Sequence, residues 1–197
     1  MNPTALRRII IEQSYRAGVG HIGSALSVAD ILCAVYGGVL RIPSPADPDR
    51  DRFILSKGHA ALALYGALHL AGLLPRSALD TFATGMTRLG VHPDHGLPGV
   101  DFSTGSLGHG LSMGTGAALA ARLQQSQRRV FVLLSDAAAL RAMQAADADV
   151  EVLARAIPRT MRVEEPEQRW WDERKHWFFK PSAGFGSRGT YRGDKIT

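Results

Sequence analysis

The sequence predicts an α/β fold in which a parallel sheet is flanked by helices, followed by a small α+β tail. Two short apolar runs, residues 53–55 and 130–134, have the length and composition of buried strands. Helical patterns precede and separate them, and strands that alternate with helices are typical of layered α/β domains. After residue 136 the composition changes, because all three tryptophans and a glycine-rich stretch follow it.

The first helix is expected over residues 2–15. Asn2 offers a capping side chain, and Pro3 has a backbone φ that already suits a helix. Residues 17–23 contain three glycines and are expected to form the loop that ends the helix. Its predicted buried face consists of apolar residues at helical spacing: Leu6, Ile9 and Ile10.

A second helix is expected after Ser27, because Ser27 and Asp30 have the spacing of a capping box. Its predicted apolar face consists of Ile31, Leu32, Val35 and Val39. Further helices are expected over residues 60–71 and 107–124, with a short one from Ser77. The glycines and alanines of the 107–124 helix would let it pack closely against a sheet.

Composition restricts the class of protein. The 197 residues are 45% hydrophobic and 21% charged, which indicates an ordered globular chain. The net charge is +5, but the basic residues are dispersed, so a nucleic-acid partner is not expected. Cys33 is the only cysteine, which excludes a disulfide framework and favours a cytoplasmic location. No apolar run approaches the roughly 20 residues of a membrane span, so no membrane partner is expected.

Three histidines stand in loops that contain glycine or proline: His21, His59 and His92. In parallel sheets, ligands bind beyond the carboxyl ends of the strands. His59 closely follows the first predicted strand, and Asp136 follows the second. Imidazole can donate to phosphate oxygens or transfer protons near neutral pH. The loops therefore favour one shared site, while solvated surface histidines remain the alternative.

Four segments follow one another in the order and spacing found in transketolases: residues 20–24 (GHIGS), 49–59 (DRDRFILSKGH), 92–93 (HP) and 103–112 (STGSLGHGLS). The resemblance covers roughly residues 5–136 and is greatest to the short N-terminal subunits of split transketolases. The resemblance implies a thiamine-diphosphate-binding fold. It also implies an enzyme that uses this cofactor to transfer a two-carbon ketol unit between sugar phosphates.

The resemblance also implies roles for individual residues. His59 resembles the histidine that contacts the cofactor diphosphate, and His21 and His92 resemble those that face the sugar substrate. The segment that lies against the cofactor aminopyrimidine is matched by Gly105, Ser106 and Leu107. Asp136 resembles the aspartate that binds the divalent metal, Mg²⁺ or Ca²⁺, on the diphosphate.

The chain departs from the family's pattern near Asp136. The family's Gly-Asp-Gly reads Ser135-Asp136-Ala137, and no asparagine follows Asn2 to serve as the second metal ligand. The glutamate that activates the cofactor comes, in the family, from a pyrimidine-binding domain that this sequence does not contain. We therefore expect impaired cofactor binding and inactivity alone. A C-terminal transketolase subunit is the expected partner, in a homo- or hetero-oligomer.

The chain is accordingly divided into a truncated cofactor domain (1–136), a helical connection (137–157) and an aromatic, glycine-rich tail (158–197). The tail weakly resembles the lysine strand and glycine loop of ATP-grasp enzymes, with Lys180, Gly184 and Gly186 as possible nucleotide-binding residues. An aromatic hairpin with a flexible end is the alternative. Two further functions stay open: an ATP-grasp-related nucleotide-binding fragment, and a non-catalytic module with a degenerate cofactor pocket.

Overall fold

The computed structural model describes residues 1–85, 87–105, 109–134, 168–176, 178–179 and 191–192. The chain divides into two compact units, Met1–Ala145 and Ala146–Thr197. The helical connection predicted over residues 137–157 lies outside the described residues. None of the described helices has the length and apolar character needed to cross a membrane.

The first unit contains six α-helices among its described residues: α1 (Pro3–Ala17), α2 (Ile22–Leu26), α3 (Ala29–Ala34), α4 (Ala61–Leu70), α5 (Arg76–Leu79) and α6 (His109–Leu123). A π-helical turn, Val35–Val39, continues α3, and a 3-10 turn, Gly58–Ala60, precedes α4. The described residues of the unit also form two strands, β1 (Arg52–Leu55) and β2 (Val130–Leu133). The order of helices and strands confirms the predicted α/β class.

Helix α1 forms where the sequence predicts it. The Asn2 side chain accepts a hydrogen bond from the backbone amide of Thr4 at 2.9 Å, so the predicted cap is confirmed. Gly18 ends the helix with a φ of 62°, a left-handed conformation that glycine adopts without a steric penalty. The apolar face packs into the core through Leu6, Ile9 and Ile10.

The prediction for the second helix is partly wrong. Ser27 does not cap α3, whose N-cap residue Val28 forms no side-chain cap, and a further short helix, α2, begins inside the loop expected over residues 17–23 and extends beyond it. The Ser27 hydroxyl instead donates to the carbonyl of Ser24 at 2.9 Å. Ile31 and Val39, expected in the core, are exposed. Helical spacing identifies residues on one face but cannot reveal whether another element covers that face.

The described sheet of the first unit consists of β1 and β2, which pair in parallel with Phe53 opposite Phe131. The strand β1 is mostly buried, whereas β2 is buried only at Leu133, less than its apolar sequence predicts. Helix α6 covers the pair so closely that a Cβ on Gly114 would collide with Val132 Cγ2. Helix α4 lies in the centre of the core, with most of its residues buried.

A buried carboxylate fastens the two strands at their amino ends. The Asp51 side chain is fully buried and accepts hydrogen bonds from the backbone amides of Arg41 at 2.9 Å and Arg129 at 2.8 Å. Both guanidinium groups also pair with it, Arg41 at 3.0 Å and Arg129 at 2.6 Å. One carboxylate thus joins the chain before β1 to the chain before β2, and it lies at the opposite end of the strands from His59.

The described residues of the second unit form helix α7 (Gln168–Asp172), a 3-10 turn (Arg174–His176) and two strands, β3 (Phe178–Phe179) and β4 (Tyr191–Arg192). The strands pair antiparallel, with Phe179 opposite Tyr191. The described part of the tail thus contains a short helix and an antiparallel pair of strands, and the α+β class of the whole tail stays a prediction.

Candidate functional site

The three loop histidines lie side by side. The ring centroids of His21 and His59 are 4.7 Å apart, and those of His59 and His92 are also 4.7 Å apart. His59 therefore lies between the other two rings. The expectation that these loops meet at one place is confirmed, since surface histidines scattered over the unit would not form a row in contact.

His21 has an unusual backbone. Its φ is 66°, in the left-handed region, and it occupies the position directly before α2. A non-glycine residue there is uncommon and is held by its surroundings. On one side the holding contacts come from the end of α1, where the buried Ser14 hydroxyl donates to the Val19 carbonyl and the Val19 amide donates back to the Ser14 carbonyl at 3.2 Å.

His59 is placed by the loop that leaves β1. The loop approaches residues 104–105 so closely that a Cβ on Gly58 would lie 2.9 Å from the Gly105 Cα. The buried Thr104 hydroxyl donates to the Leu55 carbonyl at 2.7 Å and ties the two segments together. Only glycine fits at position 58, because a side chain there would collide with backbone atoms, which cannot move aside.

His92 is held by two contacts, one at its backbone carbonyl and one at its ring. The hydroxyl of Tyr65, a fully buried residue of α4, donates to the His92 carbonyl at 2.8 Å. Burial, reinforced by the negative charge of Asp94, raises the pKa of the Tyr65 phenol, so it stays a donor. Gly105 lies against the His92 ring, because a Cβ at Gly105 would be 3.6 Å from two of the ring carbons.

A pocket opens beside these rings. Its walls are mainly apolar, with the imidazoles of His21 and His59 as the polar groups among the residues Val19, Gly20, His21, Ile22, Ala25, His59, Leu62, Phe82 and Val91. A small cleft with apolar walls and a few convergent polar groups is the usual form of a ligand site.

Two polar residues next to His59 complete the surroundings of β1's carboxyl end. The Lys57 ammonium donates to the Ser27 hydroxyl at 2.8 Å, and burial lowers the pKa of Lys57. The Ser56 hydroxyl is buried and has no hydrogen-bond partner, alone among the buried polar side-chain atoms of the described residues. It lies against the first turn of α6, since a Cβ on Gly110 would be 2.7 Å from Ser56 Oγ.

Of the other site residues expected from the sequence, Gly105 lies with the histidines. Six lie outside the described residues: Ser106, Leu107, Asp136, Lys180, Gly184 and Gly186. Within the described part of the chain, no three His, Cys, Asp or Glu side chains come together to hold a metal ion. The metal role of Asp136 and the nucleotide role of the tail therefore remain predictions.

Sequence reasoning misses three residues that shape the site: Tyr65, Thr104 and Lys57. Tyr65 carries a signal, as the only aromatic residue in an Ala/Leu-rich helix. Thr104 stands within one of the four motif segments, but its contact with Leu55 depends on tertiary structure. Lys57 also stands within a motif, and its contact to Ser27 spans 30 positions.

Comparison with known proteins identifies a family for most of this chain. The model of the transketolase thiamine diphosphate binding domain matches residues 3–137. One of the subunits of the apulose-4-phosphate transketolase of Phocaeicola vulgatus is 39% identical over 66% of this chain and 47% of its own length. The 6-deoxy-6-sulfo-D-fructose transketolase subunit SqwG of a Clostridium species is 39% identical over 66% and 49%. This chain thus spans about half the length of these relatives.

A solved structure of a transketolase resembles the fold of this chain. The crystal structure of a Pichia stipitis transketolase in complex with sedoheptulose-7-phosphate matches with a TM-score of 0.60 and 30% identity, over 67% of this chain and 21% of that chain. The family match ends at residue 137, and the ATP-grasp resemblance of the tail receives no support from these comparisons.

Proposed function

Because the chain belongs to the transketolase family through its thiamine diphosphate binding domain, we propose that it is the cofactor-binding part of an enzyme that transfers a two-carbon ketol unit between sugar phosphates. The observation that carries this proposal is the contact row of His21, His59 and His92 beside a pocket near the carboxyl end of β1. Ligands of parallel sheets bind at that edge.

The residues present fit an anionic cofactor group. His59 follows β1 and can donate to a phosphate oxygen. The buried Ser56 hydroxyl lacks an acceptor, and a bound phosphate would supply one. The amino end of α6 lies against Ser56, and the unpaired amides of a helix start favour negative charge. Together these groups support a thiamine diphosphate site whose diphosphate is held near His59.

Thiamine diphosphate, when bound, supplies the carbon nucleophile and the electron sink that ketol transfer requires. The chain's own contribution is binding, orientation and proton movement. His21 and His92 flank His59 and are the groups proposed to hold hydroxyls of the sugar and to move a proton at its reacting carbon. The apolar wall made by Leu62, Phe82 and Val91 would limit access of water to them.

Metal and partner are also proposals. We assign Asp136 as the carboxylate ligand of a Mg²⁺ or Ca²⁺ ion on the diphosphate, with weak affinity because one carboxylate supplies few of the oxygen ligands such an ion needs. Several relatives are named as single subunits of their transketolases. A second polypeptide that supplies a pyrimidine-binding domain is accordingly the proposed partner. The single, buried Cys33 favours a cytoplasmic setting.

Calorimetry of the full chain tests the proposal. We expect thiamine diphosphate with Mg²⁺ to bind weakly, in the micromolar range or above, and ATP with Mg²⁺ not to bind. His59→Ala should weaken cofactor binding by about 1–3 kcal/mol, as for loss of a hydrogen bond to a charged group. His176→Ala removes an exposed histidine of the second unit and serves as the matched control. Binding of ATP alone, or of neither ligand, would contradict the proposal.

A further inference from the structure

Lys57 is chemically exceptional in this chain. It is the only lysine in residues 1–174, where every other basic residue is an arginine or a histidine. It is partly buried, and its ammonium donates to the Ser27 hydroxyl at 2.8 Å. Lysine is a compact point charge on a flexible stem, whereas arginine is a rigid planar fork. A single hydroxyl acceptor suits the former.

The Lys57–Ser27 contact connects the two loops that carry His21 and His59. Ser27 directly follows the last residue of α2, and His21 directly precedes its first. Lys57 stands two residues before His59, at the start of the 3-10 turn. One hydrogen bond therefore joins the element that begins at His21 to the turn that contains His59.

The hydrogen bond has a defined direction. The Ser27 hydroxyl donates its only proton to the Ser24 carbonyl at 2.9 Å, so it faces Lys57 as an acceptor. Lys57 thus donates to Ser27, and Ser27 donates to Ser24, in a short chain of hydrogen bonds at the last turn of α2. Only the five residues of α2 separate Ser27 from His21.

His21 needs support from this side as well as from α1. Its left-handed φ of 66° is unfavourable for a residue with a side chain. Ser14 and Val19 hold the chain before His21. The hydrogen bond between Lys57 and Ser27 holds the chain after His21 against the β1 loop.

We propose that Lys57 is a positioning residue that, through Ser27, sets the separation of the His21 and His59 rings. The functional importance of this positioning rests on the proposed function, because the His21 and His59 rings are the groups assigned to substrate and cofactor. The contact itself is independent of that assignment.

The experiment uses the full chain with ¹⁵N-labelled histidine and long-range nitrogen–proton spectra of the rings, without cofactor. His21→Asn and His59→Asn assign the two signals. Lys57→Met removes the ammonium, and Ser27→Ala removes its acceptor at an exposed position. Lys175→Met, at an exposed lysine of the second unit, is the matched control.

We expect both Lys57→Met and Ser27→Ala to shift the ring signals of His21 and His59, with the double variant no worse than Lys57→Met. Lys175→Met should leave the signals in place. In calorimetry, both single variants should raise the dissociation constant for thiamine diphosphate by about threefold to tenfold, the equivalent of one hydrogen bond.

A fall in melting temperature without movement of the ring signals would overturn the proposal, because Lys57 would then be structural only. Movement in Lys57→Met but not in Ser27→Ala would also overturn it, since the coupling would not pass through Ser27. If the unsubstituted chain binds no thiamine diphosphate, the proposed function fails while the ring signals still decide the role of Lys57.

Discussion

Asp51 is the residue whose replacement best tests the account of the fold. Asp51→Asn keeps the size of the side chain but removes its charge and one of its two acceptor oxygens. In the structure each oxygen accepts a backbone amide, from Arg41 or from Arg129, and each also pairs with a guanidinium group. The variant therefore leaves one backbone amide and one guanidinium group without their acceptor oxygen, and both arginines without their counter-charge.

The size of the effect follows from burial. Breaking a buried ion pair by removing one partner typically costs about 3–5 kcal/mol. Asp51 is fully buried, but the side chains of Arg41 and Arg129 are 53% and 47% exposed and can turn towards water. We therefore expect about 2–3 kcal/mol. For a unit of this size that corresponds to a fall in melting temperature of about 4–12 °C.

The pH dependence gives a second, independent measure. Burial alone would raise the pKa of Asp51, but hydrogen bonds from Arg129 and Arg41 outweigh it and hold the pKa well below its ordinary value. Because its pKa is depressed in the folded state, Asp51 contributes its full stabilisation at pH values above the unfolded pKa of about 3.9. This contribution decreases as the pH falls below that value. The unsubstituted chain should lose this stability as the pH drops from about 5 towards 2, and Asp51→Asn should lose less.

Urea unfolding followed by far-ultraviolet circular dichroism measures both effects, because most described helices belong to the first unit. Asp30→Asn is the control: its carboxylate is 67% exposed and pairs with Arg7 at the surface, where a pair contributes about 0–1 kcal/mol. If Asp51→Asn and Asp30→Asn unfold at the same urea concentration, or if the pH slopes of Asp51→Asn and the unsubstituted chain coincide, the reasoning about Asp51 is wrong.

Three further predictions concern other contacts. Tyr65→Phe removes one hydroxyl and leaves the His92 carbonyl without its donor, so we expect a loss of about 1–3 kcal/mol in the free energy of unfolding and a shifted His92 ring signal; an unchanged signal would refute its positioning role. Gly66→Ala places a Cβ 2.6 Å from Leu6 Cδ1, and should cost about 1–3 kcal/mol in urea unfolding by overpacking α1 against α4; a stabilised variant would contradict it. All three tryptophans belong to the second unit, where Trp171 is exposed, so we expect red-shifted, readily quenched emission, and a blue-shifted spectrum would show a tail packed into a core.

The sequence predicts most of the helices and both strands among the described residues of the first unit, because their signals are local. Asn2 caps α1 as expected, since a cap depends on residues two or three positions away. Ser27 has the same local signal, yet its hydroxyl interacts with Ser24 and Lys57. The partner that decides its role is 30 positions away, beyond what a capping pattern contains.

The candidate site shows the same limit. The row of histidines is predictable, because three glycine- or proline-bearing loops each contain one. The left-handed backbone of His21 is not, since a positive φ is uncommon for any residue other than glycine. The Tyr65 contact with His92 also escapes prediction, because it depends on how α4 packs against the chain at His92, 27 positions away.

The close approach of Gly58 to Gly105 has a consequence for variation of this chain over time. Two backbones touch there with no side chain between them, so neither can be lengthened or thickened alone. An insertion in either loop would push the other out of place and would separate His59 from His92. The two loops, 47 positions apart between Gly58 and Gly105, should therefore gain and lose residues as a pair, and homologous sequences should show linked changes in their lengths.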